Sequence, residues 1–255
     1  MKKRFRILSQ KISWAVLVLL TGFYTVVGAE APKATTPLIE QLEKSRQAYE
    51  DVRDYTALFI KEERSEGKLD PPEEIFLKFE KPFKIYMKWL NPPKKGLEVH
   101  YERGKHDNKL AIHKPGFLTG LAGVIFLEQD SPWVRAGSEA YDIEDAGIGT
   151  FLFDFTAAVL KGSHEGRLKV DWLDANTANV IFDVPGKDGV FFARHCVVTF
   201  DGGSKLPVKM KLFDWNSRLL GEYDYQNLKI NVGAQDTEFM THIHRSLYRV
   251  WNHRG

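Results

Sequence analysis

The sequence predicts a mainly β, α+β fold in which one strongly curved antiparallel sheet is covered by helices. Three observations predict it. Apolar and polar residues alternate in short runs between residues 55 and 230, the period of half-buried strands. The connections between those runs are short and carry turn residues, which makes neighbouring strands antiparallel. Helical spacing occurs only before, midway through and after the runs, so the strand–helix–strand alternation of a parallel nucleotide-binding sheet is missing. A lone antiparallel sheet hides its apolar face by curling or by taking a helical cover.

The chain opens with Lys2, Lys3, Arg4, Arg6 and Lys11, and has no acid before Glu30. An apolar run of about 16 residues (12–27) follows and ends in Val27-Gly28-Ala29, the pattern of an export signal cleaved after Ala29. The run is shorter than the ~20 residues a membrane span prefers, and an uncleaved inner-membrane anchor is the alternative. Without residues 1–29, 31 basic residues face 34 acidic ones, so the basic excess belongs to the leader. That balance gives no reason to expect nucleic acid as a partner. With no Cys near the cleavage site, a lipid-anchored product is not expected; the expected product is soluble and periplasmic. The one cysteine, Cys196, excludes an internal disulfide framework and suits a buried position.

Residues 30–36 read as a short tail. Thr36-Pro37 then starts a helix, with a hydroxyl as cap and proline where no N–H is needed. Leu38, Leu42, Ser45, Tyr49 and Val52 keep helical spacing, and the helix ends near Asp51. Strand alternation takes over at residues 55–60, 75–80, 83–89 and 97–102, continuing through Leu110 and Ile112. Residues 115–149 break the rhythm. Helical spacing returns over 149–160, with Gly162 as its expected stop. A second half-sheet is expected over 168–172, 178–184, 190–200, 208–215 and 219–230, about ten strands in all. Asp201-Gly202-Gly203 reads as a tight hairpin turn, and a last helix is expected over 236–251.

Candidate chemistry is sparse. His195 and Cys196 are neighbours on a strand, so they point to opposite faces and cannot pair as base and nucleophile. His242 and His244 diverge by about 200° on a helix, and no third metal ligand accompanies them. His100, His106, His113 and His164 show no metal-binding spacing. Gly147-x-Gly149 lacks the third glycine of a dinucleotide loop. No Gly-x-Ser-x-Gly elbow or Walker loop is present. Asp142, Glu144 and Asp145 read as a solvated acidic loop, and Lys78, Lys84 and Lys88 as the solvent face of the sheet. No cofactor, no metal and no catalytic group is expected.

A helix followed by Asp54-Tyr55-Thr56-Ala57-Leu58-Phe59-Ile60-Lys61 resembles the opening of periplasmic lipoprotein carriers of the LolA/LolB type. Lys81-Pro82-Phe83 with Tyr86 and Trp89, the Arg103-Gly104-Lys105 turn, and Asp236 with Phe239 are similar to later carrier features. An aromatic strand running into Asn91-Pro92-Pro93, the loop at residues 132–149, and residues 228–233 resemble an uncharacterised exported bacterial family, domain-of-unknown-function family 1571. The resemblance covers nearly the whole mature chain.

It implies an unclosed β-barrel with a helical lid: a single LolA-like domain over residues 37–255, with an inserted lid region at about 115–162. It places Lys81 where the carriers have a lid arginine, whose forked hydrogen bonds lysine cannot copy. The cavity wall expected on this basis comprises Phe59, Phe79, Lys81, Phe83, Met87, Trp89, Val99 and Phe155. The expected function is that of a non-enzymatic exported binding protein, holding an acyl chain or lipidated protein in a hydrophobic concavity. The alternative is an interaction module of the cell envelope, with an envelope protein as partner and a core filled by its own side chains.

Overall fold

The structure, a computed structural model, describes residues 35–114, 124–131 and 143–233. The expected export signal and the expected last helix lie outside them, as do His242, His244 and Asp142. Among the described residues the order begins with α1 (Thr36–Glu50) and continues with β1 (Asp54–Ser65), β2 (Lys68–Leu69), β3 (Glu73–Glu80), β4 (Lys84–Trp89), β5 (Glu98–Glu102), β6 (Leu110–His113) and β7 (Ile125–Leu127). A second helix, α2 (Ile148–His164), precedes β8 (Leu168–Trp172), β9 (Thr177–Phe182), β10 (His195–Phe200), β11 (Pro207–Phe213) and β12 (Leu219–Ile230).

These strands form one antiparallel sheet in the order β7-β6-β5-β4-β3-β1-β12-β11-β10-β9-β8, with β2 attached to β1. The sheet is curved and unclosed, since β7 and β8 end the order at opposite edges. The fold class is therefore the expected one: mainly β, one large antiparallel sheet, and helical cover on one side.

The central pairing joins the two halves of the chain. β1 pairs with β3 and β12, setting Phe59 opposite Ile75 on one side and Tyr225 on the other. On the inner face an aromatic series crosses five strands. Tyr101 meets Phe83 edge-on, Phe83 meets Phe79 the same way, Phe79 stacks on Tyr55 at 5.0 Å, and Phe59 lies 4.6 Å from Tyr225. Edge-to-face and offset rings are the arrangements their quadrupoles favour.

α2 lies on this face. Ile148, Leu152, Phe155 and Val159 recur at helical spacing and are fully buried, each contributing about 1.5–3 kcal/mol relative to exposure. Gly162 does not stop the helix. It lies inside α2 because the helix passes close to β8 and β9 there, where an added Cβ would come within 3.3 Å of Phe182. The helix ends at Glu165, and Gly166 follows with φ +66.

Further expectations are corrected. The helix cap of α1 is Thr35, and no side-chain bond closes it. β1 runs five residues past its expected end, and β2 and β7 are additional strands. Residues 190–194 are not strand. At the β10–β11 turn the positive φ belongs to Lys205, not to Gly202 or Gly203. There the Asp201 carboxylate accepts hydrogen bonds from the Gly203 and Ser204 amides, so an aspartate turn replaces glycine freedom.

α1 crosses α2 at Gly149, where an added Cβ would lie 2.3 Å from the Tyr49 ring. Tyr49 is held by an edge contact with Phe153 and by the Lys81 ammonium 4.2 Å from its centroid. Gly149→Ala is expected to lower stability by about 1–3 kcal/mol through overpacking, despite alanine's better helix propensity. Urea unfolding measures it; unchanged stability would mean that Tyr49 swings aside freely.

Candidate functional site

Tyrosine hydroxyls and one arginine fix the entry of α2. The Ile148 amide donates to Tyr55 Oη at 3.1 Å, and Tyr225 Oη donates to the Ala146 carbonyl at 3.3 Å. Tyr101 donates to the Glu144 carboxylate, which also accepts from Arg103 Nη2 at 2.7 Å. Arg103 lies over the Phe83 ring at 4.9 Å, and Thr150 Oγ1 closes onto the Glu144 carbonyl at 2.8 Å. Glu144 is thus an ion-paired anchor rather than part of a solvated loop. Burial works to raise its pKa, but Arg103 and Tyr101 outweigh that and hold it below the ordinary value.

The expected cavity wall separates into three groups. Phe59, Phe79 and Phe83, together with Phe155 of α2, lie in the core, each packed on another ring. Lys81 stands apart from the apolar wall. Its ammonium donates to the Tyr49 and Glu50 carbonyls at 2.5 and 3.2 Å, capping the C-terminus of α1, and burial lowers its pKa. Met87, Val99 and Trp89 form the third group.

Met87 and Val99 are cross-strand partners, and the register continues from Val99 to Ile112 and from Ile112 to Ile125. One apolar row therefore runs over β4, β5, β6 and β7, with Trp89 and Leu97 beside it. Cover thins along this row. Met87 is 4% exposed and Val99 8%, while Ile112 and Ile125 are half-buried.

A charged row borders this corner on the same face. Glu73 accepts from Trp89 Nε1 at 2.9 Å and from Lys94, and its carboxylate lies 3.5 Å from the Lys61 ammonium. Lys61 also meets Glu63 at 3.1 Å, and Glu63 accepts from Tyr223 Oη at 3.0 Å. Burial pushes the Glu73 pKa upward, but Lys61, Lys94 and Trp89 together bring it below the ordinary carboxylate value. The alternation expected at residues 55–60 and 75–80 stops short of Lys61, Glu63 and Glu73, so it does not show that the inner face turns from apolar to charged beyond Phe59.

The remaining candidates offer no reactive centre. Cys196 is fully buried, and burial raises its thiol pKa. His195, on the opposite face, bonds to Asn179 and stacks on Phe213. Among the described residues no group of three His, Cys, Asp or Glu side chains could hold a metal ion, and no helix is long and apolar enough to cross a membrane. Lys78 is 5% exposed and so does not belong to a solvent face.

The sequence profile of a family described as "protein of unknown function (DUF1571)" matches residues 52–245. No functionally curated protein matches the chain. Solved structures with a similar course include a DUF1329 family protein from Desulfovibrio piger, 12% identical, with a TM-score of 0.40 over 82% of this chain and 98% of that one. A putative outer membrane lipoprotein-sorting protein domain from Vibrio parahaemolyticus is 14% identical, with a TM-score of 0.39 over 81% and 99%. A LolA superfamily protein from Nitrosomonas europaea is 10% identical, with a TM-score of 0.37 over 79% and 96%.

Two measurements check this geometry. Because Glu144 has a lowered folded pKa, its contribution to stability is present above the unfolded value of 4.5 and is lost as pH falls through the folded pKa. Glu144→Gln is expected to be less stable than the parent at pH 7, with the difference shrinking below about pH 4.5; a difference independent of pH would remove the ion pair from the account. The Cys196 thiol is expected to react with a disulfide reagent only at the rate of unfolding, and rapid labelling of the folded protein would contradict its burial.

Proposed function

We propose that this chain, which belongs to the DUF1571 family of proteins of unknown function, is a non-enzymatic exported binding protein that holds an acyl chain, free or attached to a protein, at the β4–β7 corner of its sheet. The observation that carries this reading is the apolar row Met87–Val99–Ile112–Ile125, which continues past the region packed under α2 and becomes less covered toward the edge. A ten-methylene chain buried along such a surface contributes about 8 kcal/mol, the free energy of a micromolar complex. No nucleophile or metal is needed for that task. Trp89, held at its indole N–H by Glu73, supplies a rigid ring where the row meets the charged groups.

A second reading, an envelope interaction module, is favoured by the centre of the molecule. Phe59, Phe79, Phe83 and the α2 residue Phe155, all expected to line a cavity, are buried in the core and each contacts another ring. If that filling extends to the corner, no guest enters and the surface does the binding.

Uptake of a fluorescent fatty acid, with native mass spectrometry of protein purified from its own envelope, separates the two readings. The parent is expected to carry lipid, and Ile125→Asp on the edge strand to lose at least tenfold in uptake with its fold retained. An unliganded parent that takes up no probe, or equal uptake by Ile125→Asp, would rule out the acyl-chain reading.

A further inference from the structure

The far edge of the sheet has a surface that matches itself. β8 has no strand beyond it among the described residues, and its hydrogen bonds to β9 use alternate residues. The Leu173 amide donates to the Thr177 carbonyl at 2.9 Å, and the Asp183 amide donates to the Arg167 carbonyl at 2.8 Å. In an antiparallel ladder that phase turns residues 167, 169, 171 and 173 toward β9. The N–H and C=O groups of Leu168, Val170 and Trp172 therefore face the open edge. Leu168, Val170 and Trp172 also project onto the inner, apolar face, whereas Lys169 and Asp171 are exposed on the outer face.

We infer that β8 is a dimerisation edge that pairs antiparallel with β8 of a second copy of this chain, extending the sheet across a two-fold axis at Val170. In that register Val170 faces its own counterpart, Leu168 faces the partner's Trp172, and Lys169 faces the partner's Asp171, twice over. Main-chain groups on both sides are in phase for about six hydrogen bonds. The two apolar faces become continuous, and the two Lys–Asp pairs set the register. Because both copies use the same five residues, the interface is isologous and closes at two.

Edge strands often carry charge to prevent sheet-to-sheet association. That purpose is served by charge of one sign, which repels a second copy. Lys169 and Asp171 have opposite signs, placed symmetrically about Val170, and in antiparallel self-pairing each meets its complement. Lys169 is held only loosely in its own chain, 4.0 Å from Asp183 with both side chains mostly exposed. The opposite edge, β7, has only three residues. Leu173, 60% exposed, follows β8 directly and in this register lies beside the apolar stem of the partner's Arg167.

Sedimentation equilibrium of the full chain lacking its leader tests the inference. The parent is expected to be a dimer. Lys169→Asp alone and Asp171→Lys alone each set like charges opposite one another and are expected to be monomers. The double variant Lys169→Asp/Asp171→Lys restores both pairs and is expected to dimerise. An equimolar mixture of the two single variants, one carrying two lysines and the other two aspartates, is expected to recover dimer as a heterodimer. Val170→Pro removes an edge-facing N–H while sparing the β8–β9 ladder, and is expected to be monomeric with an unchanged far-UV circular dichroism spectrum. A monomeric parent, single variants that stay dimeric, or a mixture that fails to recover dimer would each overturn the inference.

Discussion

The architecture depends on one constraint: α2 must stay on the inner face of a sheet too wide to bury itself. Apolar packing alone would let that helix slide, because hydrophobic burial is non-directional. Directional bonds remove this freedom. Tyr55 from β1, Tyr225 from β12 and Tyr101 from β5 each place a hydroxyl against residues 144–148, so strands from both halves of the sheet hold the same short segment. Burial raises the pKa of Tyr55 well above its ordinary value, and the neutral hydroxyl is the form that both packs and hydrogen-bonds there. Arg103 completes the arrangement by pairing with Glu144 while its guanidinium covers Phe83.

From this placement follows an uneven inner face. Under α2 the rings of the aromatic series are buried and contact one another. Away from α2, toward β7, the same face continues as an apolar row with less cover, and toward residues 61–63 of β1 it becomes charged. Charge on an inner face is tolerated there because each group has partners. Glu73 receives two ammonium groups and an indole, and Glu63 receives one ammonium and a phenol. Buried ion pairs of this kind contribute little net stability, but they fix where the apolar region stops. The two sheet edges differ as well: β7 is short and adjoins the apolar row, whereas β8 is longer and carries opposite charges two residues apart.

Much of the fold could be read from alternation alone, since a period of two survives whatever packs on the strand. β8 and β12 have the expected limits, and the other expected strands are present with shifted ends. The failures have specific causes. β1 was cut short because Lys61 and Glu63 break the apolar pattern although both face inward. Gly162 reads locally as a stop because its environment, Phe182 from a strand 20 residues later, leaves no mark on the neighbouring sequence. Asp201 replaced glycine in the turn because a carboxylate aimed at successive amides does the same work. For the candidate site, Met87, Trp89 and Val99 are recognisable as one face, whereas the bond of Lys81 to the end of α1 and the continuation of the row through Ile112 and Ile125 are not.

By itself the sequence determined the fold class, the family, the apolar character of one strand face and the lack of any recognisable catalytic motif, because periodicity, composition and local motifs are properties of neighbouring residues. The tertiary structure alone decided which aromatics contact one another in the core, that Ile112 and Ile125 are less covered than Met87 and Val99, that Glu144 is an anchor rather than a solvated acid, and that the main-chain phase of β8 leaves Val170 at the edge. Those outcomes depend on register and on contacts between residues far apart in the chain, as in the pairing of Tyr55 with Ile230. No local pattern encodes such distances, because the free energy that selects them exists only once the sheet has formed.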